Sequence, residues 1–329
     1  MIEREVSRRA FVVLATALLA SSRMAHGQPA KAYRIGFLGT TSPKSHGTFL
    51  DAFRDGLRER GYVEGRDVTI EARWAESDYD RLAALAGDLV RLNVDLILTH
   101  GTPGARAAKE ATRTIPIVVA LAGDVVATGL VSSLARPGGN LTGVSFFFPE
   151  LNAKRVEMLK EALPRLKRVA VLMNDANAAN LVTFDTTTRM ARTVGFDTVK
   201  ILAHSAEDFE RAFGEMERAR CEAVVIYEDP LFVAQATQLA ALAQRRRLPS
   251  VGFREYADAG GLLGFGVNFP DAWRRASGFA DRIFKGGKPG DLPMEQPGKY
   301  DTVVNLRTAR ALRLAIQPRV LHRADRILE

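Results

Sequence analysis

The chain has 329 residues, of which 47% are hydrophobic and 26% are charged, and its formal net charge is +8 at pH 7. This length suggests two domains, each large enough to bury its own core. Basic residues are scattered and not interleaved with aromatics along one stripe, which argues against a nucleic-acid partner. The single cysteine, Cys221, excludes an internal disulfide and precedes an apolar strand, where a buried thiol is expected.

Residues 1–27 have the pattern of an export signal. The pair Arg8-Arg9 precedes an apolar run at residues 11–20, and Ala25-His26-Gly27 offers the small residues that a signal peptidase reads. The run is about half as long as a membrane-spanning helix. We therefore expect cleavage near residue 27 and a periplasmic protein, exported by either the twin-arginine or the ordinary secretory route.

The following residues alternate strands with helices. Strands are predicted at residues 35–38, 68–74 and 94–98. Helices are predicted at residues 49–60, 80–92 and 104–112. Gly61 occupies the C-cap position of the first helix, and Thr102 followed by Pro103 predicts the cap and first residue of the third.

Residues 115–148 connect two similar halves. The apolar run at 115–122 has proline at its second position, which predicts a strand buried on both faces, since proline is tolerated only where such a strand begins. The run stops at the polar turn Gly123-Asp124. A short helical segment and a rigid turn at 136–140 are then expected before a strand at 141–147.

The second half repeats this order of elements. Further strands are predicted at residues 168–173, 198–202, 223–227, 248–253, 262–267 and 302–306. Further helices are predicted at residues 183–194, 207–219, 232–244 and 271–285. The alternation predicts an α/β protein with two similar doubly wound, parallel-sheet (Rossmann-like) lobes joined by a multi-segment hinge. We expect lobe 1 to comprise 32–145 and about 269–290, and lobe 2 to comprise 146–268 and about 291–329.

Ligands of doubly wound sheets bind at the carboxyl ends of the strands, so two facing lobes would form one cleft. Helix N-termini next to these ends suit a ligand carboxylate. The residues predicted to hold it are Gly39, Thr40, Thr41, Thr102, Asn174 and Asn177, with Asn268 as a further donor. Asp124 and Asp229 are predicted to hold a ligand ammonium from two sides. Alternatively, Thr102 and Asn177 cap their own helices and Asp229 forms a turn.

Aromatic side chains near the cleft edge are candidates for its walls, although most are expected in the core. They are Phe37, Phe146, Tyr227, Phe253 and Phe265. His100 is the histidine predicted at the cleft edge, and it is interpreted as a solvated or hydrogen-bonded side chain because no companion stands at metal-ligand spacing.

Several segments resemble one family of transport proteins. They are residues 124–145 (DVVATGLVSSLARPGGNLTGVS), 78–90 (DYDRLAALAGDLV), 254–262 (REYADAGGL) and 299–312 (KYDTVVNLRTARAL), with Thr102-Pro103 and Asp229-Pro230-Leu231-Phe232. The resemblance is to ABC-transporter substrate-binding proteins of the tryptophan/tyrosine-type group. It implies a periplasmic-binding-protein type I fold that captures a small molecule, an amino acid or related carboxylate, and delivers it to a permease and an ATPase. Membrane contact is then made only through the permease.

Two departures from the family pattern fall where the ligand is expected. Val125 stands where the family usually has proline, and Asn174-Asp175-Ala176-Asn177 stands where an Asn-Pro-Asn-like loop is usual. The aromatic specificity that the resemblance implies is therefore not transferred to this chain.

Two other classes of function remain open. An exported ligand-sensing module would share the fold, and neighbouring genes would distinguish it from a transport protein. An enzyme would use Glu228 or Asp229 as a general base. The chain has no G-x-S-x-G elbow, no P-loop and no G-x-G-x-x-G after Ile35, so we expect no catalytic residue, no cofactor and no metal.

Overall fold

The computed structural model describes residues 32–146 and 148–329. The predicted export signal lies outside the described residues and stays a prediction. None of the helices in the described ranges is both long and apolar enough to cross a bilayer.

The first sheet has five parallel strands in the order β2-β1-β3-β4-β5. Their bounds are β1 (Tyr33–Gly39), β2 (Val68–Trp74), β3 (Leu96–Thr99), β4 (Ile117–Gly123) and β5 (Leu141–Phe146). The helices between them are α1 (Pro43–Glu59), α2 (Leu82–Arg91) and α3 (Gly101–Ala111). All seven residues of β4 are buried, as expected for an apolar strand that is covered on both faces.

The second sheet has seven strands in the order β12-β11-β10-β9-β8-β6-β7. They are β6 (Arg168–Met173), β7 (Asp197–Leu202), β8 (Ala223–Ile226), β9 (Ser250–Gly252), β10 (Leu263–Gly266), β11 (Asp301–Asn305) and β12 (Arg326–Leu328). The part β7-β6-β8-β9-β10 repeats the strand order of the first sheet, which confirms that the two halves are alike. The tail differs, because β11 runs antiparallel to β10 and extends the sheet.

Nine α-helices lie within the described residues 148–329. They are α4 (Phe148–Ala162), α5 (Ala178–Thr193), α6 (Asp208–Arg218), α7 (Pro230–Ala234), α8 (Ala236–Arg245), α9 (Arg254–Asp258), α10 (Phe269–Phe284), α11 (Leu306–Ala311) and α12 (Pro318–His322). Helix α10 crosses back and packs against α1, β4 and β5. The chain therefore passes between the sheets after β5, after β10 and before β11.

The glycine C-caps are confirmed. Gly61 follows α1 with φ +90 and Gly195 follows α5 with φ +84, a left-handed conformation that glycine adopts without steric cost. The apolar stripes of the helices face the sheets and contribute to a hydrophobic core that includes residues of both.

Several local predictions are wrong. The segment after Asp124 forms hydrogen-bonded turns and no helix, because Gly129, at φ +71, ends it after a single turn. The helix predicted at 232–244 is divided at Gln235 into α7 and α8. Helix α4 was not predicted at all, because its apolar residues follow the helical period only weakly.

Candidate functional site

The carboxyl ends of both sheets meet at one cavity, which we call the cleft cavity. The first sheet's side of its wall comes from α1, α10, the start of α3 and the ends of β4 and β5. The second sheet's side comes from the start of α5 and the β8–α7 segment. The wall consists of His46, Phe49, His100, Gly101, Thr102, Leu121, Ala122, Gly123, Phe146, Asn177, Ala179, Glu228, Pro230, Val233, Phe269 and Trp273.

The cleft cavity is small and mostly apolar. Its volume is ≈ 50 Å³, which is room for about three or four water molecules. The two halves approach closely at Gly101, since a Cβ atom there would lie 2.6 Å from Cγ of Pro230. The two halves are thus closed on one another, and a ring-bearing ligand requires them to separate or the wall to repack.

The hydroxyl of Thr102 is an unused donor in this wall. Thr102 is 2% exposed and its Oγ1 has no hydrogen-bond partner among the described residues. The prediction that Thr102 caps α3 is wrong, because the helix begins at Gly101 and His100 takes the N-cap position. An unpaired buried hydroxyl costs free energy unless something bonds to it, so Thr102 is available to a ligand.

Thr41 carries a second unpaired hydroxyl. It is fully buried beside Thr40 at the end of β1, and its Oγ1 has no partner among the described residues. It lies outside the wall of the cleft cavity, although the residue next to it is bonded to the wall.

Two neutral histidines line the cavity beside aromatic rings. The Thr40 N–H donates to His100 Nε2 at 3.1 Å, which fixes that nitrogen as an acceptor. The His100 ring lies 4.8 Å from His46 and 5.1 Å from Trp273, centroid to centroid. Burial lowers the pKa of His46 to about 3, and burial and the neighbouring His46 hold the pKa of His100 well below its ordinary value. Both rings are therefore uncharged near neutral pH.

Asp229 lies just outside the cavity wall and joins the two halves. Its Oδ1 accepts from Tyr79 Oη of the first half at 2.8 Å and from the Leu231 N–H at 3.0 Å. Asn177 Nδ2 donates to Oδ2 at 3.0 Å, and Asn174 Nδ2 lies 3.4 Å from Oδ1. Burial raises the pKa of Asp229 and these donors lower it, with burial the larger effect. Burial likewise raises the pKa of Tyr79 well above its usual value, so this hydroxyl stays protonated and donates.

Glu228, in the cavity wall, is held by a buried cation. Arg155 Nη1 donates to Glu228 Oε2 at 2.6 Å, and Nη2 donates to Oε1. Arg155 is 0% exposed, and it also bonds Asn152 Oδ1 at 3.0 Å and the Phe265 carbonyl through Nε at 2.9 Å. The paired charges are thus satisfied within the second half.

The structure brings the predicted ligand residues together to different degrees. Thr102 and Asn177 lie in the wall of the cleft cavity. Thr40 and Asp229 are bonded to wall residues, and the Asn174 carbonyl accepts from the N–H of the wall residue Asn177. Gly39 and Thr41, the chain neighbours of Thr40, are not in the wall. Asp124 follows the wall residue Gly123, but its Oδ1 accepts from the Ala127 N–H at 2.9 Å. Asn268 caps α10 and lines a separate surface pocket with Lys299.

Of the predicted aromatic candidates, Phe146 lines the cavity. Tyr227 and Phe253 are 0% exposed core residues, and Phe37 packs behind His100 at 6.1 Å between ring centroids. Phe265 packs near Tyr300, with 6.0 Å between ring centroids.

Sequence reasoning missed Phe49, Phe269, Trp273, Tyr79 and Arg155. The first three have the helical spacing of ordinary core residues, so no pattern distinguishes them from the core. Nothing in the sequence indicated that Tyr79 would bond across the cleft or that Arg155 would be fully buried.

Two similar α/β halves that close on a small cavity at their strand ends define the class of the protein, which is a two-lobed solute-binding protein of the periplasmic-binding-protein type I fold. The family model described as "ABC transporter substrate binding protein" matches residues 40–328. The chain belongs to this family of ABC transporter substrate-binding proteins.

One curated protein and two solved structures are similar to this chain. The chain is 25% identical over 261 residues to the tyrosine-binding protein of Clostridioides difficile (strain R20291), an overlap of 79% of this chain and 75% of the relative. It resembles the crystal structure of an ABC domain from Streptococcus pneumoniae in complex with L-Trp, with TM-score 0.84 and 24% identity, over 91% of this chain and 100% of the other. It also resembles the ligand-free, open structure of the substrate-binding protein CD0873 from Clostridium difficile, with TM-score 0.64 and 23% identity over 90% and 99% of the two chains.

Proposed function

We propose that this protein works outside the cytoplasm, where it captures a small carboxylate, an amino acid or related acid with an aromatic side chain, in the cleft cavity. It then passes this solute to the permease and ATPase of an ABC transporter. The observation that carries the ligand class is the unpaired, buried hydroxyl of Thr102 at the N-terminus of α3. A helix N-terminus favours an anion, and Thr102 adds a hydrogen-bond donor beside it.

The aromatic part of the proposal is supported by other residues of the cavity wall. His46, Phe49, Phe146, Phe269 and Trp273 form a largely apolar surface in the same cavity. Such a surface suits a ring because aromatic pairs stabilise each other beyond the area that they bury. The named ligands of the relatives, tyrosine and L-Trp, fit the same description.

We further propose that the protein makes and breaks no bonds. A general base needs a carboxylate that is free to take a proton from a ligand. Glu228 is held in the buried pair with Arg155, and Asp229 accepts four hydrogen bonds from the chain itself. Neither is free for this task.

The test replaces Thr102 with valine, which keeps the shape and removes the hydroxyl. The unliganded Thr102→Val protein should be as stable as the wild type or more stable, because the lost hydroxyl was unpaired. Its affinity for the carboxylate that most raises the wild-type melting temperature should fall about 10- to 100-fold, the value of one hydrogen bond to a charged group. Thermal shift over a panel of aromatic acids followed by calorimetry measures both quantities.

Thr69→Val is the matched control, because Thr69 is exposed on β2, away from the cavity. It should leave the affinity unchanged. The proposal fails if no carboxylate stabilises the wild type, or if Thr102→Val binds the chosen acid as tightly as the wild type does.

A further inference from the structure

The acidic side chains near the cleft cavity are already engaged. Glu228 is the one carboxylate in the cavity wall among the described residues. Arg155 donates to both of its oxygens, and Arg155 is fully buried. Drawing Glu228 away to a ligand would leave the guanidinium as an unpaired buried charge, which is strongly unfavourable.

Asp229 is engaged as well. Both of its oxygens accept hydrogen bonds, from Tyr79, Asn174, Asn177 and the Leu231 N–H. It is 1% exposed and lies outside the cavity wall. Asp124, the remaining acidic candidate, bonds within its own turn through the Ala127 N–H.

The remaining polar groups of the wall suit a negative charge or none. Thr102 presents an unpaired hydroxyl that is 2% exposed. Helices α3 and α5 both begin at the cavity, so their partial positive ends face it. The histidines His46 and His100 are neutral and add no charge of either sign.

From this geometry we infer that the preferred ligand is an aromatic carboxylate that lacks the α-ammonium group of an amino acid. The inference rests on the proposed function and narrows its ligand class. A carboxylate finds the Thr102 hydroxyl and two helix N-termini. An ammonium would lose part of its water of hydration and meet only carboxylates that the chain already engages, which is costly in a small, mostly apolar cavity.

The experiment compares ligands in matched pairs by calorimetry on the wild-type protein. Each pair has one ring and differs in the ammonium: 3-phenylpropionate with L-phenylalanine, 3-(4-hydroxyphenyl)propionate with L-tyrosine, and indole-3-propionate with L-tryptophan. For the ring that binds best, the acid without the ammonium should bind at least about tenfold more tightly than the amino acid. Phenethylamine, which has the ammonium and no carboxylate, should not bind.

The outcomes separate this inference from the proposed function. The inference is wrong, and carboxylate capture stands, if the amino acid binds more tightly than its partner or equally tightly. The same holds if the amino acid binds more weakly by less than about tenfold. If neither member of any pair binds, the inference is wrong, and the thermal-shift panel of aromatic acids decides whether carboxylate capture stands.

A variant gives a second readout. Asp229→Asn should weaken both members of the best pair by the same factor, because Asp229 acts through the closed arrangement and touches no ammonium. A loss confined to the amino acid would assign Asp229 to the ammonium and overturn the inference.

Discussion

The buried ion pair of Arg155 and Glu228 is a contact on which the stability of the fold depends. Their side chains are 0% and 6% exposed. Removing one partner of a buried pair leaves the other charge uncompensated. We expect Arg155→Met to destabilise the protein by about 3–5 kcal/mol.

A double-mutant cycle isolates the pair from the other bonds of Arg155. The double variant Arg155→Met/Glu228→Gln should be less destabilised than the sum of the single variants by at least about 2 kcal/mol. Urea denaturation measures all four free energies of unfolding. The exposed pair of Arg211 and Glu215, 2.7 Å apart, is the control and should couple by about 0.5 kcal/mol or less. Equal coupling in the two pairs would contradict the expectation.

At this scale, much of the site was not predictable from the sequence. Thr102 and Asn177 follow predicted strands. Because ligands bind at the carboxyl ends of parallel strands, the sequence identifies both residues as candidates. Arg155 lies on a helix with only a weak apolar period, and its partner Glu228 is 73 residues away. Only the tertiary fold brings these two together.

Among the elements, the junction of α9 with α10 carries a pH-sensitive contact. Glu255 of α9 accepts at Oε1 from the N–H of Phe269, the first residue of α10, at 3.2 Å. Its Oε2 is buried without a partner among the described residues. Burial raises the pKa of Glu255 to about 7, although Arg254 lies 3.3 Å away and favours the charged form.

Because this pKa is raised in the folded state, the protonated glutamate contributes stability that is complete below about pH 4.5 and is lost as pH rises through about 7. Glu255→Gln keeps the shape and cannot ionise. The variant should therefore be more stable than the wild type at pH 8 by roughly 1–3 kcal/mol, with a smaller difference at pH 5.

Denaturation curves from pH 5 to pH 8 measure this effect. Glu110→Gln, at an exposed position on α3, is the control and should leave the pH dependence unchanged. A wild-type protein that gains stability relative to Glu255→Gln as pH rises would contradict the assignment.

Element order was more predictable than element bounds. Strand β2 was predicted with its observed ends, because turn residues flank its alternating pattern on both sides. Helix α1 begins at Pro43, six residues before its predicted start, because a first turn of polar residues gives no apolar period. The sequence pattern also did not predict that β11 is antiparallel to β10, because the direction of this strand depends on which sheet edge the tail reaches.

For the whole molecule, Tyr79 and Asp229 form a bond across the cleft that favours the closed arrangement. The first half supplies the hydroxyl and the second half the carboxylate, 2.8 Å apart. Tyr79→Phe removes this bond and leaves Asp229 with one donor fewer. We expect an increase in the radius of gyration and a several-fold loss of ligand affinity, because closing becomes less favourable.

Small-angle scattering and calorimetry test this expectation. Tyr62→Phe is the matched control. Tyr62 donates to Asp281 of α10 at 3.0 Å, and neither residue lines the cleft cavity. The control variant should lower thermal stability and leave the radius and the affinity unchanged. If Tyr79→Phe has the dimensions and affinity of the wild type, the bond does not control closure.

The connections between the sheets limit how such an opening can proceed. The segment that returns to β11 runs beside β5, where the Glu295 N–H donates to the Gly143 carbonyl at 2.9 Å and the Ser145 N–H donates to the Glu295 carbonyl at 2.9 Å. Sliding the returning segment along β5 would break these hydrogen bonds, whereas bending the two together would keep them. We therefore expect the halves to open by rotation about this paired segment, so that the angle between them distinguishes the liganded protein from the ligand-free one.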